Sequence, residues 1–167
     1  MHESPEDLTA LQELLDRSVA RASEHLVGIV TPERRLTAEQ LVRVVTGMST
    51  MALATVTAAG EPRVGGVDGH FLRGRWLFTT SGTAVKAAHL RARPACSLAH
   101  LRGDDLGVFT HGRAQLLTRA EIPDWVEDHL VAHYGSSPTS WGPDIVYCWV
   151  DPTWMVAYAF DPAALLA

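Results

Sequence analysis

Between Met51 and Leu117 the chain is a succession of short apolar and β-branched runs joined by tight turns, and this rhythm restricts its fold more than any other feature. Met51–Thr57 leads through Ala58-Ala59-Gly60-Glu61 into Pro62–Phe71, which reads as a hairpin. Arg73-Gly74 turns the chain into Trp76–Thr80, and Cys96–Leu101 is joined to the long run Leu106–Leu117 by the polar turn Arg102–Asp105. Two closing runs, Ile145–Val150 and Trp154–Phe160, are separated by Asp151-Pro152. Strands that follow one another so closely must pair antiparallel, and closing the sheet into a barrel removes edges that would otherwise template aggregation. A doubly wound parallel sheet needs a helix between most strands, a pattern that is absent here. The expected class is mainly β with peripheral helices.

Those helices are also legible. Residues 4–26 carry the stripe Leu8, Leu11, Leu15, Val19, Ala22 and Leu26 behind Ser4 as N-cap and Pro5 as first helical residue. Thr37 and Gln40 have capping-box spacing before Leu41, Val44, Val45 and Met48, and that helix is expected to end near Gly47. A short helix is expected over Ala84–Arg91 and a longer one over Arg119–Tyr134, followed by the loop Gly135–Pro143. With 167 residues, one domain is expected, divided into an N-terminal helical extension, 1–36, and a barrel, 37–167.

Composition excludes several functions. The longest uncharged apolar stretch, Met51–Ala59, is far short of the roughly 20 residues that cross a bilayer. No basic segment leads into an apolar run at the N-terminus, so no membrane association and a cytoplasmic location are expected. A formal charge of −5 argues against a nucleic-acid partner held through phosphate neutralisation. Cys96 and Cys148 form no CxxC pair and read as buried thiols.

One basic residue stands out. Of 14 cationic side chains, 13 are Arg and one, Lys86, is Lys. It follows Trp76-Leu77-Phe78-Thr79-Thr80-Ser81-Gly82-Thr83, where a strand ends, hydroxyls cluster, a glycine allows close backbone approach and a helix begins. Free N–H groups, a helix dipole and one ammonium make a phosphate site. A hydroxyl-capped surface helix would carry the same residues. Arg63, on the strand expected beside Thr79 and Thr80, could reach the same anion, or could be a solvated rim arginine.

Other constellations are weaker. His129 and His133 share a helix face at i, i+4, but no acidic or cysteine partner completes a set and HExxH is missing, so a solvated face is expected and no metal. Neither GxSxG nor GxGxxG occurs, and Asp104-Asp105 falls in a turn. Along Leu106–Leu117, Phe109, His111, Arg113 and Gln115 should face away from Val108, Thr110, Gly112, Ala114 and Leu116.

Taken in order, Leu53-Ala54-Thr55-Val56-Thr57, Gly60-Glu61-Pro62-Arg63-Val64, Leu77-Phe78-Thr79-Thr80-Ser81, Lys86-Ala87-Ala88-His89-Leu90-Arg91, Pro94-Ala95-Cys96-Ser97-Leu98 and His111-Gly112-Arg113-Ala114 resemble the pyridoxamine 5′-phosphate oxidase-like flavin-binding split-barrel family. The resemblance implies a six-stranded antiparallel split barrel that pairs as a homodimer, with FMN sites at the interface. It implies that Arg63, the backbone of Val64 and Gly65, Thr79, Thr80, Ser81 and Lys86 hold the phosphate and ribityl chain, and that Gly107 approaches the ring from the other subunit. The family member that oxidises pyridoxamine phosphate carries a basic residue where this chain has Val85, and an Arg-containing motif after its last strand where this chain has Asp161–Ala167. Vitamin B6 synthesis is therefore not expected.

Two functions follow from the resemblance. One is an oxidoreductase that uses FMN, or a deazaflavin in the same groove, to transfer hydride to or from a small organic substrate. The cofactor would carry the chemistry, which accounts for the lack of a catalytic motif. The other is a non-catalytic flavin- or haem-binding dimer, for which His70, His89, His100 and His111 are possible axial ligands. Trp141, Trp149 and Trp154 could fold over a flat ligand or be plain core.

Overall fold

The structure, a computed structural model, describes residues 2–166. Helix α1, Pro5–Ala20, starts at the capping box of Ser4 and Asp7 and buries Leu11, Leu14, Leu15 and Ser18. The helix expected over 4–26 is in fact two, because Ser23 offers its own side chain as a second N-cap and opens α2, Glu24–Ile29, after a break. Helix α3, Ala38–Val44, begins at the Thr37–Gln40 capping box, as its spacing predicts. Gly47, at φ 75°, then turns the chain into strand β1, Met48–Val56, which starts three residues earlier than expected.

Strands β2, Pro62–Leu72, and β3, Arg75–Ser81, precede helix α4, Val85–Ala92. Strands β4, Ala95–Arg102, and β5, Leu106–Leu117, follow. The expected helix over 119–134 is divided by Pro123 into a 3-10 turn, Arg119–Glu121, and α5, Asp124–Tyr134. Strand β6, Ile145–Ala159, and helix α6, Pro162–Leu166, complete the chain.

The strands form a closed six-stranded antiparallel barrel in the order β1-β2-β3-β6-β5-β4. The two closing strands expected from the Asp151-Pro152 signal are one strand. A register shift opposite His111 and Gly112 absorbs the proline, which has no N–H to donate to a ladder. Gly112 is required there, since a Cβ would collide with the Asp151 carbonyl. Gly112→Ala should therefore destabilise the fold by about 1–3 kcal/mol, read from the midpoint of urea unfolding.

Strand β6 pairs with β5 from Tyr147 to Ala159 but with β3 only from Ile145 to Val150. Past that point α1 takes over: Met155 N donates to Ser18 Oγ at 2.9 Å and Trp154 Nε1 to Ser18 O at 3.2 Å. Leu11, Leu14 and Leu15 accordingly share one core with Met51, Leu53, Trp76, Phe78, Leu98 and Met155. The N-terminal helices are part of the barrel's packing. A second cluster, Leu72, Leu77, Ile122, Val126, Leu130, Tyr147 and Trp149, seats α5 on the outer face of β3 and β6.

The β2–β3 ladder runs only from Gly69 opposite Phe78 to Leu72 opposite Arg75. Beyond it β2 stays with β1 and β3 stays with β6, so Gly66–Asp68 and Thr79–Ser81 part company. This divergence opens the barrel wall. Among the described residues no helix is long and apolar enough to cross a membrane.

Candidate functional site

The opening in the wall is a cleft of about 550 Å³. Gly66, Val67 and Asp68 of β2 form one side and Thr79, Thr80 and Ser81 of β3 the other, with Thr50, Lys86, Tyr134, Trp141 and Ile145 around them. A smaller groove of about 180 Å³ lies between Leu53, Thr55, Arg63, Val64, Gly65, Val85, Lys86 and His89. Lys86 lines both, its ammonium donating to the Gly66 carbonyl at 3.0 Å.

Six of the eight expected site residues therefore gather around a seventh, Lys86. Thr79, Thr80 and Ser81 meet it in the cleft; Arg63, Val64 and Gly65 meet it in the groove. Gly107 lines neither. It pairs with Leu101 and Tyr158, and a Cβ there would lie 2.8 Å from the Tyr158 ring, so the glycine makes room for that ring.

Local physics explains the arrangement at α4. The N-cap is Ala84 and makes no side-chain hydrogen bond, which rules out the hydroxyl-capped alternative. Ser81 Oγ donates to Asp144 at 2.9 Å and Thr83 N to the same carboxylate at 2.9 Å. The Ser81 hydroxyl, aided by the Thr83 donors, holds the Asp144 carboxyl below its usual range. Asp144 thus pins the loop before α4, while the first-turn N–H groups of the helix keep no side-chain partner. Arg63 is exposed and folded onto Glu61, 2.6 Å away.

Sequence reasoning missed the other walls. Thr50, Gly66, Asp68 and Tyr134 come from β1, β2 and α5, and only the end of the β2–β3 ladder brings them together. Of the three tryptophans, Trp141 lines the cleft. Trp149 is buried beneath the Arg75 guanidinium, and Trp154 stacks on His111 at 4.6 Å. Of the pair expected on a solvated face, His133 is exposed, whereas His129 is half-buried; both rings meet His70, which is 1% exposed, edge to face. The four candidate axial histidines are all engaged, His70 with Tyr134, His89 with Thr55, His100 with the Thr50 carbonyl and His111 with Ser97. Burial pushes the free thiols up, Cys96 to about 11 and Cys148 to about 12, so neither is a thiolate at neutral pH. Among the described residues no three or more His, Cys, Asp or Glu side chains are grouped to hold a metal.

The profile of the pyridoxamine 5′-phosphate oxidase family matches residues 37–157. No curated protein matches the chain. Among solved structures, a conserved hypothetical protein of Mycobacterium tuberculosis superposes with a TM-score of 0.66 at 17% identity, covering 80% of this chain and 91% of its own. An FAD-binding protein of Mesorhizobium loti gives 0.59 at 19% identity, over 75% and 94%. A protein named F420 reductase gives 0.54 at 21% identity, over 67% and 92%. At such identities these likenesses speak to the fold.

Proposed function

The chain belongs to the pyridoxamine 5′-phosphate oxidase family, and from that membership we propose that it is an oxidoreductase which binds FMN, or a deazaflavin coenzyme in the same groove, and transfers hydride to or from a small organic substrate. The observation that carries the reading is the place of Lys86, the one lysine, where the groove and the cleft meet. An anionic tail at this point would have the ammonium on it, the uncapped start of α4 beside it and Thr79 and Thr80 within the same walls. Arg63 is exposed and tied to the exposed Glu61 carboxylate and the neighbouring Pro62 carbonyl; exposed ion pairs are worth about 0–1 kcal/mol, so it is available to an anion at little expense. Gly65 suits the role: a Cβ there would come to 3.9 Å from Lys86 Cε, narrowing the groove.

The rest of the cleft would take a flat ring. Trp141, Tyr134, Val67 and Ile145 offer apolar and aromatic surface, and Asp68 and Thr50 give polar contacts at its far side. A bound flavin or deazaflavin supplies the hydride chemistry; the chain supplies grip, orientation and a partly dry wall. Val64 and Val85, 73% and 69% exposed, flank the groove beside Arg63 and Lys86. Such apolar surface next to a ligand site favours a second protomer over the groove, and we propose a homodimer. The two buried free thiols suit a reducing compartment, in keeping with a cytoplasmic location.

The test is direct binding. Titration of the purified protein with FMN and with a deazaflavin coenzyme, followed by fluorescence, should saturate with one of them. Lys86→Ala should weaken that binding by about 10- to 100-fold, the equivalent of a charge-assisted hydrogen bond of roughly 1.5–3 kcal/mol. Wild-type protein that binds neither coenzyme refutes the reading.

A further inference from the structure

Reducing an organic acceptor takes a proton as well as a hydride, and Lys86, Arg63 and the threonines are occupied with the anion. Tyr134 is the one phenol in the cleft wall. Its hydroxyl lies 3.0 Å from Nε2 of His70, whose other ring nitrogen, Nδ1, is 2.9 Å from Nε2 of His129. Nδ1 of His129 is in turn 3.0 Å from Nε2 of His2, an exposed residue. The rings of His70 and His129 each use both of their nitrogens. The four side chains form an unbroken hydrogen-bonded file from the cleft, past a buried imidazole, to the surface.

A neutral imidazole has one N–H and one bare nitrogen. A file of them has two complete arrangements, with every donor pointing toward Tyr134 or every donor pointing away. Passing from one to the other carries a proton from end to end and leaves no charge on the rings between. That property matters at His70, where burial first, and the neighbouring His129 and His133 second, push the imidazole down to about 4 and keep it neutral. The other groups facing the file are Tyr134, pushed up by burial and by Asp68, and Glu3, whose carboxylate lies toward His129.

We propose that Tyr134 is the proton donor to the cleft and that His70, His129 and His2 form the relay that recharges it from solvent. This rests on the reductase reading above, with the reduced coenzyme as hydride source. Hydride uptake leaves the acceptor with an extra negative charge. The Tyr134 O–H bond breaks as the new bond to the acceptor forms. His70 passes its Nε2 proton to the tyrosine oxygen, His129 passes its Nε2 proton to His70 Nδ1, and His2 passes its Nε2 proton to His129 Nδ1. His2 takes a proton from solvent at Nδ1, and every ring ends neutral in its other tautomer. His133 touches His70 edge to face at 5.0 Å between centroids and lies beside this path, outside it.

The decisive measurement needs no coenzyme. Ring-nitrogen NMR of histidine-labelled full-length protein reports the tautomer of each imidazole. If the donors are ordered collectively, Tyr134→Phe shifts the Nδ1–H to Nε2–H ratio of His129, which Tyr134 does not touch, and His2→Ala shifts that of His70. Unchanged ratios in both folded variants overturn the relay; should Tyr134→Phe fail to fold, His2→Ala at an exposed position decides alone. In coenzyme-loaded protein, His129→Ala should lower kcat for acceptor reduction by about 10- to 100-fold with KM unchanged, and added imidazole should restore it. Loss without rescue assigns His129 a structural role and overturns the relay. Wild-type protein that takes up no coenzyme refutes the preceding reading, and the tautomer ratios then judge the relay separately.

Discussion

Trp76→Ala is expected to lower the free energy of unfolding by about 3–5 kcal/mol. The indole is 1% exposed at the centre of the barrel, meets Phe71 edge to face with centroids 4.8 Å apart, and donates from Nε1 to Thr110 Oγ1 at 3.1 Å. Truncation removes all three contributions. It forfeits the transfer free energy of a large apolar group, leaves a cavity that the closed β1-β2-β3-β6-β5-β4 wall cannot collapse to fill, and deprives the fully buried Thr110 hydroxyl of its partner. Domains of this kind are stable by about 5–15 kcal/mol, so most of the margin would go. Equilibrium urea unfolding followed by far-ultraviolet circular dichroism measures the change, and a loss below about 1 kcal/mol would contradict this account of the core. Because Trp76 lies three residues before Thr79 on β3, the variant should also weaken any ligand whose contacts depend on that strand's position.

Acidification gives the second large effect. His70 is held down to about 4 by burial, against an ordinary value of 6.5, so between those limits the unfolded chain binds a proton that the folded chain refuses. Stability contributed by the neutral ring is therefore complete above pH 6.5, falls as the pH drops toward 4, and is flat below. At about 1.4 kcal/mol per pH unit the total loss is about 3 kcal/mol. His129, lowered chiefly by its own burial, adds in the same direction. The depressed carboxyls, such as Asp144, share the sign but titrate further into acid. Urea midpoints at a series of pH values should thus show a steep slope in the wild type and a shallower one in His70→Gln; equal slopes would mean that His70 is not the group responsible.

Much of this architecture can be read from the chain because the signals are local. The Thr37–Gln40 capping box, the turn at Gly60 with φ 81° and the alternation that defines β5 each depend on residues a few positions apart. Lys86 was conspicuous for the same reason, as the only ammonium just inside a short helix. Where competing local signals met, tertiary context chose between them. Asp151-Pro152 is a turn signal that a bulge absorbed within β6, and Ser23 capped a second helix inside a continuous apolar stripe. The cleft walls and the histidine file were not legible. His70 and His129 are 59 positions apart, Ser81 and Asp144 are 63 apart, and no periodicity links a strand to a helix that packs on it later in the chain.

The double duty of β6 bears on how the protein is made. It is the last strand, and it alone joins β3 to β5, so a nascent chain emerging from the ribosome presents two unsatisfied strand edges until residues beyond Ile145 have cleared the exit tunnel. Even then, the stretch past Val150 is covered by α1, through Ser18 and Met155, which are 137 positions apart. Closure of the barrel consequently waits for both β6 and α1 to be in place, and until then the β3 and β5 edges are open to mispairing.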